Sequence, residues 1–255
     1  MARSLVESAS LATTRESISL TPLGRVAPSS MTTDCYERIK AAILQLDFLP
    51  GTPLVEAQLA AQLGTSKSPV REALLRLASE DLVLTTHGRS CVVAGLTIAR
   101  IRDWYQLRRI LEPASLADII DRLTAEDLVT LRQPIEETRH AFETNDALRF
   151  VHGSETFHAQ LVDFNPNRTL VEFVHHLLEQ IRRVRVALYQ FDRPHNVKAG
   201  ITDGMARHFA ILEALTDRDL DRAQAILRLD IQKFLDRLDD PDQLTDLARL
   251  TYRRR

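Results

Sequence analysis

The spacing of apolar positions changes several times along the chain, and the changes mark its elements. Residues 1 to 31 are rich in Ser, Thr and Arg and keep no sustained period, which predicts a mobile leader with a short extended piece at Ser17 to Leu20. From Asp34 to Leu46 the apolar residues Tyr36, Ile39, Ile43 and Leu46 fall on one face of a helix, with Asp34 and Glu37 spaced as a capping-box pair. Leu49, Pro50, Gly51 and Pro53 break the chain. Glu56 to Leu63 reads as a short helix closed by Gly64. Ser66 is placed to cap the next helix, whose first turn tolerates Pro69. There Val70, Ala73, Leu74 and Leu77 form a buried stripe. Two β-rich runs, Leu82 to Thr86 and Cys91 to Ala94, flank His87-Gly88-Arg89-Ser90 and predict a hairpin.

Beyond Leu96 the period is helical throughout. It predicts helices near 97–121, 125–143, 145–163, 167–190, 200–216 and 219–238, with Pro134 inside the second. The expected fold class is therefore mostly α: an N-terminal winged helix-turn-helix followed by an antiparallel all-α helical bundle. The expected division is a leader over 1–32, a winged helix-turn-helix domain over 33–96, an all-helical domain over 97–240 and a tail over 241–255.

Composition narrows the function classes. The 255 residues carry 33 basic and 35 acidic side chains, a net charge of −2, which excludes a simple polybasic binder of nucleic acid. Eight glycines and 5% aromatics disfavour a Gly- and aromatic-rich all-β chain. No apolar run approaches the ~20 residues that span a bilayer, and no signal-type apolar core opens the chain, so a cytoplasmic protein with no membrane partner is expected. Cys35 and Cys91 form no metal motif, in keeping with a reducing compartment. No G-x-S-x-G, P-loop, G-x-G-x-x-G or H-E-x-x-H occurs, so no enzyme signature competes.

The polar face of the third helix carries the first chemistry. Lys67, Ser68 and Arg71 lie at its start, opposite the apolar stripe, where a recognition helix places residues on base edges. Arginine forks onto guanine, while Lys and Ser contact bases or phosphate. The hairpin tip offers His87, Gly88 and Arg89, with Gly allowing close backbone approach and Arg suiting a minor groove or phosphate. Arg76 is expected to pair with Glu72 on its own helix.

The run Leu54-Val55-Glu56-Ala57-Gln58-Leu59-Ala60, then Leu63-Gly64-Thr65-Ser66-Lys67-Ser68-Pro69-Val70-Arg71-Glu72-Ala73-Leu74, then Arg76-Leu77, Leu82-Val83 and Gly88-Arg89, resembles the GntR family of bacterial transcription regulators. The resemblance implies that Ser66, Lys67, Ser68 and Arg71 contact a pseudo-palindromic double-stranded operator through the recognition helix, and His87 and Gly88 through the wing. Two positions depart from the family: Asp81 stands where it often has Gly, and Ala57 where it has an operator-contacting Arg.

In the helical part, polar residues interrupt four apolar stripes. Arg108 and Glu112 lie in line with Ile101, Tyr105, Leu111 and Leu116; Ser154 and His158 join Phe150, Val151, Phe157 and Leu161; His208 sits amid Met205, Ile211 and Leu212; Asp230 sits amid Ile226, Leu227 and Ile231. Buried polar groups need partners, and convergence on one site supplies them. Two His and an Asp from three helices can hold Zn²⁺, Ni²⁺ or Mn²⁺, with an Arg beside them to fix a ligand carboxylate. A metal-free acid pocket and a structural polar core are the other two readings. A two-His-one-carboxylate set also occurs in metal-dependent enzymes, the rival class, and would equally serve a regulator that senses the metal itself without an organic effector. Arg182 and Arg185 are candidates to line a pocket.

Residues 97 to 238 resemble the FadR-type C-terminal domain, often called FCD, through Leu107-Arg108-Arg109 with Glu112, Phe157-His158 with Leu161, and His208 with Ile211-Leu212-Glu213-Ala214-Leu215. Many members bind a metal through one Asp and three His; here Ser154 replaces the Asp and Asp230 replaces one His. The resemblance implies a homodimeric regulator, with repression the commoner mode, controlled by a small carboxylate metabolite. The ligand-binding candidates are His158, His208, Asp230 and Ser154 for a metal, and Arg108, Glu112 and Arg182 for the effector.

Overall fold

The structure is a computed structural model, and it describes residues 30–86, 90–144, 146–191 and 194–239. The chain runs α1 (Ser30–Leu44), β1 (Pro53–Leu54), α2 (Glu56–Leu63), α3 (Lys67–Ser79), β2 (Val83–Thr86), β3 (Ser90–Val93) and then six helices. These are α4 (Ile98–Ile119), α5 (Ala125–Glu143), α6 (Ala147–Asp163), α7 (Arg168–Phe191), α8 (Pro194–Thr216) and α9 (Leu220–Arg237).

The first unit is a winged helix-turn-helix. Val70, Ala73, Leu74 and Leu77 of α3 pack with Tyr36, Ile39 and Ile43 of α1 and with Leu82, Val83 and Val93 of the sheet. The turn between α2 and α3 depends on Gly64, which adopts φ +65° and so lets the Thr65 N–H reach back to the Ala60 carbonyl at 2.9 Å. The sheet is antiparallel in the order β1-β3-β2, with Leu54 opposite Cys91 and Leu84 opposite Val92. Strand β1 is two residues long inside the Pro/Gly breaker, too short to leave an alternating pattern in the sequence.

Several local expectations are corrected. Helix α1 begins at Ser30, so Asp34 and Glu37 lie within it and form no capping box. Ser66 precedes α3 in an extended conformation, but its side chain makes no cap hydrogen bond. Arg76 stacks 3.6 Å from the Tyr36 ring centroid and pairs with Glu80, not Glu72. Asp81 takes φ +59°, the left-handed conformation for which glycine is the usual choice, and its carboxylate accepts from Arg100 at 2.7 Å. Helix α8 starts at Pro194, since proline is well accommodated in a first helical turn.

In the bundle α4 packs on α9 and α7, α5 on α6 and α8, α6 on α7, and α8 on α9. Pro134 and Pro113 both lie inside helices. Thr138 Oγ1 donates to the carbonyl of Pro134 at 2.6 Å, and Gln224 Nε2 donates to that of Pro113 at 2.9 Å. Helix α7 also meets the winged helix. Lys40 of α1 reaches Glu179 at 2.6 Å and Glu80 at 2.9 Å, and Gln180 donates to the Glu80 carbonyl. No helix among the described residues is long and apolar enough to cross a membrane.

Candidate functional site

Two sites emerge, one on each unit. On the winged helix, Lys67, Ser68 and Arg71 are exposed on one side of α3, with Ser66 just before them. Their spacing follows from the Val70–Leu77 stripe, which points the opposite face of α3 into the core. Ser68 Oγ lies 3.5 Å from Glu72 Oε1. Arg71 is engaged side-on by Glu56, its Nε donating to Oε1 at 2.8 Å and Nη2 to Oε2 at 2.7 Å. Glu56 was not among the residues singled out in the sequence. The wing-tip residues His87, Gly88 and Arg89 lie outside the described residues.

In the bundle a cavity of roughly 230 Å³ is lined from all six helices, a size suited to a small organic molecule. His158, His208 and Asp230 converge in it, with ligand atoms all within 4.8 Å of one another. Asp230 Oδ2 is 3.4 Å from His158 Nε2 and 3.5 Å from His208 Nε2, longer than well-formed hydrogen bonds. With metal–ligand distances near 2.1 Å, donor atoms around a tetrahedral ion stand about 3.4 Å apart, which the two edges from Asp230 match. Behind it, His158 Nδ1 meets Glu112 Oε2 at 2.8 Å, a carboxylate that orients Nε2 toward the cavity. Phe157 stacks on His208 with centroids 4.5 Å apart, fixing that ring.

The protonation states suit the same chemistry. Burial pushes His208 below the usual imidazole value, against the opposing pull of the Asp230 carboxylate. Burial alone would raise Asp230, but His208 and His158 overturn this and hold it well below the usual carboxylate range. Neutral imidazole and ionised carboxylate are the forms that bind metal. Ser154, one turn before His158, lines the cavity and adds a hydroxyl.

The arginines sort differently from the expectation. Arg108 lines the cavity, but it is fully buried and tied to Glu112 by two contacts, through Nε and through Nη2 at 3.2 Å. Burial would raise Glu112; Arg108 and His158 bring it down to about 2. Arg108 and Glu112 thus neutralise each other and position His158. Arg182 does not line the cavity; it forks onto Glu155 at 2.7 and 2.6 Å. The cavity takes Arg185 instead, with Arg207, Lys233 and Arg237 from α8 and α9. Arg207 Nε holds Asp230 Oδ1 at 2.9 Å, leaving Oδ2 toward the histidines. With Arg108 neutralised by Glu112, Arg185, Arg207, Lys233 and Arg237 still outnumber the carboxylates Asp203 and Asp230 in the lining, which favours an anionic guest. Tyr105 Oη and His208 Nδ1 are buried with no hydrogen-bond partner among the described residues.

Comparison with known proteins matches the same two units. Residues 32–93 fit the family of bacterial regulatory proteins described as the gntR family, and residues 103–233 fit the FCD domain. The Nta operon transcriptional regulator of Aminobacter aminovorans is 31% identical over 191 residues, covering 75% of this chain and 86% of that protein. The uncharacterized HTH-type transcriptional regulator YdhC of Bacillus subtilis is 30% identical, covering 62% and 70% respectively. Among solved structures, E. coli McbR/YncC superposes with a TM-score of 0.71 at 24% identity, over 82% of this chain and 97% of that one. The matched relatives and both families are transcriptional regulators, not enzymes, which removes the rival reading of the two-His-one-carboxylate set. The chain belongs to the gntR family of bacterial regulatory proteins and is a transcriptional regulator with an FCD domain.

Proposed function

We propose that this regulator is a homodimeric repressor whose hold on a pseudo-palindromic operator is controlled by a small organic acid bound with a divalent metal in the bundle cavity. Ser66, Lys67, Ser68 and Arg71 read the operator in each half-site. The observation that carries the effector reading is the convergence of His158, His208 and Asp230 within 4.8 Å, beneath a cation-rich cavity. These three residues would hold Zn²⁺, Ni²⁺ or Mn²⁺, and Ser154 lies beside them. A metal held there would supply a Lewis-acidic anchor for a carboxylate. Arg185, Lys233 and Arg237 receive the rest of the acid, and Tyr105 Oη offers it a hydrogen bond.

Helix α7 supports the link to DNA. Arg185 and Leu188 line the cavity, while Glu179, Gln180 and Arg183 on the same helix hold the winged helix. A guest that moves α7 changes how the recognition helices are held.

The test is calorimetric titration of chelator-stripped protein with Zn²⁺, then a thermal-shift panel of mono-, di- and tricarboxylates with and without Zn²⁺. One Zn²⁺ per chain, lost in His208→Ala, and acids that raise the melting temperature only with Zn²⁺ are expected. Absence of Zn²⁺ binding overturns the metal. Acid binding that is the same without Zn²⁺ selects the metal-free acid pocket, the second reading, which the Arg207–Asp230 contact favours.

A further inference from the structure

The residue that engages Arg71 has a role of its own. Within 56–79 the cations are Lys67, Arg71 and Arg76, and Arg76 is spent on Tyr36 and Glu80. Ala57, next to Glu56 at the start of α2, supplies no charge. Selectivity therefore rests heavily on Arg71, which the structure does not leave loose. Glu56, the first residue of α2, accepts from its Nε and Nη2 in a bidentate fork. The two residues are 15 apart in sequence and join the two helices of the motif. The Glu56 side chain is 19% exposed and that of Arg71 50%, so the carboxylate forms the inner wall and the guanidinium the outer one.

A guanidinium has two usable edges. The side edge, Nε with one Nη2 hydrogen, is occupied by Glu56. The end edge, Nη1 with the other Nη2 hydrogen, is the one that forks onto guanine O6 and N7. We propose that Glu56 is a specificity-determining residue: it fixes Arg71 by its side edge so that the end edge reads guanine, and its charge suppresses contact with phosphate. The proposal rests on α3 being the DNA reader. Two consequences follow from the charge. A lone arginine gains from any phosphate, whatever the sequence, and adds to non-specific binding. An arginine coupled to a carboxylate brings that carboxylate toward the phosphates too, so its gain on random DNA is small. At a G·C pair both members are served, because the cytosine N4 amino group is a donor that Glu56 can accept. The pair thus penalises wrong DNA more than right DNA, which is how a motif with only three cations over 56–79 attains selectivity.

The experiment uses the full-length protein and duplexes enriched from a random pool by the wild type. Affinity for the enriched duplex and for a scrambled duplex is measured by fluorescence anisotropy between 50 and 200 mM KCl, for wild type, Glu56→Gln, Arg71→Ala and the double variant. Glu56→Gln is expected to bind scrambled DNA more tightly, with a salt slope steeper by about one ion, and to lose about tenfold in the ratio of enriched to scrambled affinity. In the Arg71→Ala background the same change is expected to leave the ratio within twofold. A Glu56→Gln ratio within twofold of wild type, on a duplex the wild type enriches, overturns the assignment of Glu56 alone. An equal loss with and without Arg71 also overturns it. A wild-type pool with no enriched sequence overturns the reading of α3, and this proposal with it. Both side chains lie at the surface, and circular dichroism melts confirm that each variant is folded.

Discussion

The guanidinium of Arg183 donates to the main-chain carbonyl of Ala94 at 2.9 Å, so a bundle helix is tied by a buried charge to the end of the wing strand. Its other contact is the Gln180 side-chain oxygen at 3.2 Å, and no carboxylate bonds to it among the described residues. Burial disfavours the charged form and pulls Arg183 down to about 10. An arginine in this setting contributes position at the joint more than stability.

Replacing it by an apolar residue of similar length tests that view. Arg183→Met removes a desolvation cost of several kcal/mol and leaves two acceptors unpaired, at about 1–3 kcal/mol each. The terms nearly offset, so the stability from urea unfolding is expected to stay within about 1 kcal/mol of wild type. Amide exchange at Ala94 to Leu96 is expected to accelerate. A loss above about 3 kcal/mol would show that Arg183 is a net stabiliser.

The neighbouring contact behaves oppositely. Lys40 is 15% exposed and bridges two carboxylates, Glu80 and Glu179, at 2.9 and 2.6 Å. Burial would lower its pKa, but Glu179, Tyr36 and Glu80 overturn this and raise it. Lys40→Met leaves two acids facing each other and is expected to cost about 1–3 kcal/mol, discounted for their partial exposure. The double variant Lys40→Met, Glu179→Gln is expected to recover part of that loss, giving a coupling of about 0.5–3 kcal/mol in a double-mutant cycle. Additive effects would remove Lys40 from the joint.

The outline of the winged helix is legible in the sequence because Val70, Ala73, Leu74 and Leu77 fix one face of α3 and thereby place Lys67 and Arg71 on the other. His158, His208 and Asp230 are legible for a related reason: each interrupts an apolar stripe, and a buried polar group must find company. The arginines are not legible in the same way. Arg182 and Arg185 differ by three positions, about 60° around a helix at ~100° per residue, so both lie at the edge of one stripe. Packing alone decides that Arg185 faces the cavity and Arg182 faces Glu155. Arg207, Lys233 and Arg237 look solvated until α8 and α9 are brought together. The one available signal was their spacing, since Arg207 adjoins His208 and the other two lie three and seven residues after Asp230. Arg108 and Glu112 stood at i, i+4, the spacing of a mutually neutralising pair, and that pairing withdraws Arg108 from the guest.

The departure at Ser154 yields a gain-of-function test. Ser154 lies one turn before His158 and lines the same cavity. Ser154→Asp adds an ionisable oxygen ligand to the two imidazoles and one carboxylate already there. Zinc affinity, measured by competition with a chelator, is expected to rise by about tenfold or more, against the 10- to 100-fold that outer-shell changes alone can move it. An unchanged affinity would mean that the Ser154 position does not reach the ion.

The entry to α5 offers a local control outside both sites. Thr124 accepts from the Asp127 N–H, and Asp127 accepts from the Thr124 N–H at 2.7 Å, a complete capping box. Thr124→Ala is expected to cost about 0.5–2 kcal/mol in urea unfolding. The hydrogen bonds from the Thr124 backbone and side chain lower the Asp127 pKa, so this stabilisation is present above the usual aspartate value and fades as pH falls through the lowered one. The difference between wild type and variant is therefore expected to shrink in acid. A pH-independent difference would place the effect elsewhere.

A tight helix approach between α5 and α6 gives the last test. A Cβ built on Gly153 of α6 would stand 2.4 Å from Thr138 Oγ1 and 3.1 Å from the Pro134 carbonyl of α5. Glycine is needed there for space, not for backbone freedom, since α6 is regular across it. Thr138 cannot swing away at no cost, because its buried hydroxyl donates to the Pro134 carbonyl and would lose that partner. Gly153→Ala therefore forces α5 and α6 apart, at about 1–3 kcal/mol of overpacking that outweighs the better helix propensity of alanine. Adding Thr138→Ala removes the nearest atom but leaves the Pro134 carbonyl and the Thr138 nitrogen at 3.1 and 3.2 Å, so the double variant recovers only part of the loss. Thermal melts of the two single variants and the double variant check this. A Gly153→Ala protein as stable as wild type would show that the α5–α6 contact yields, and with it the wall that positions Thr138 and Ser154 around the cavity.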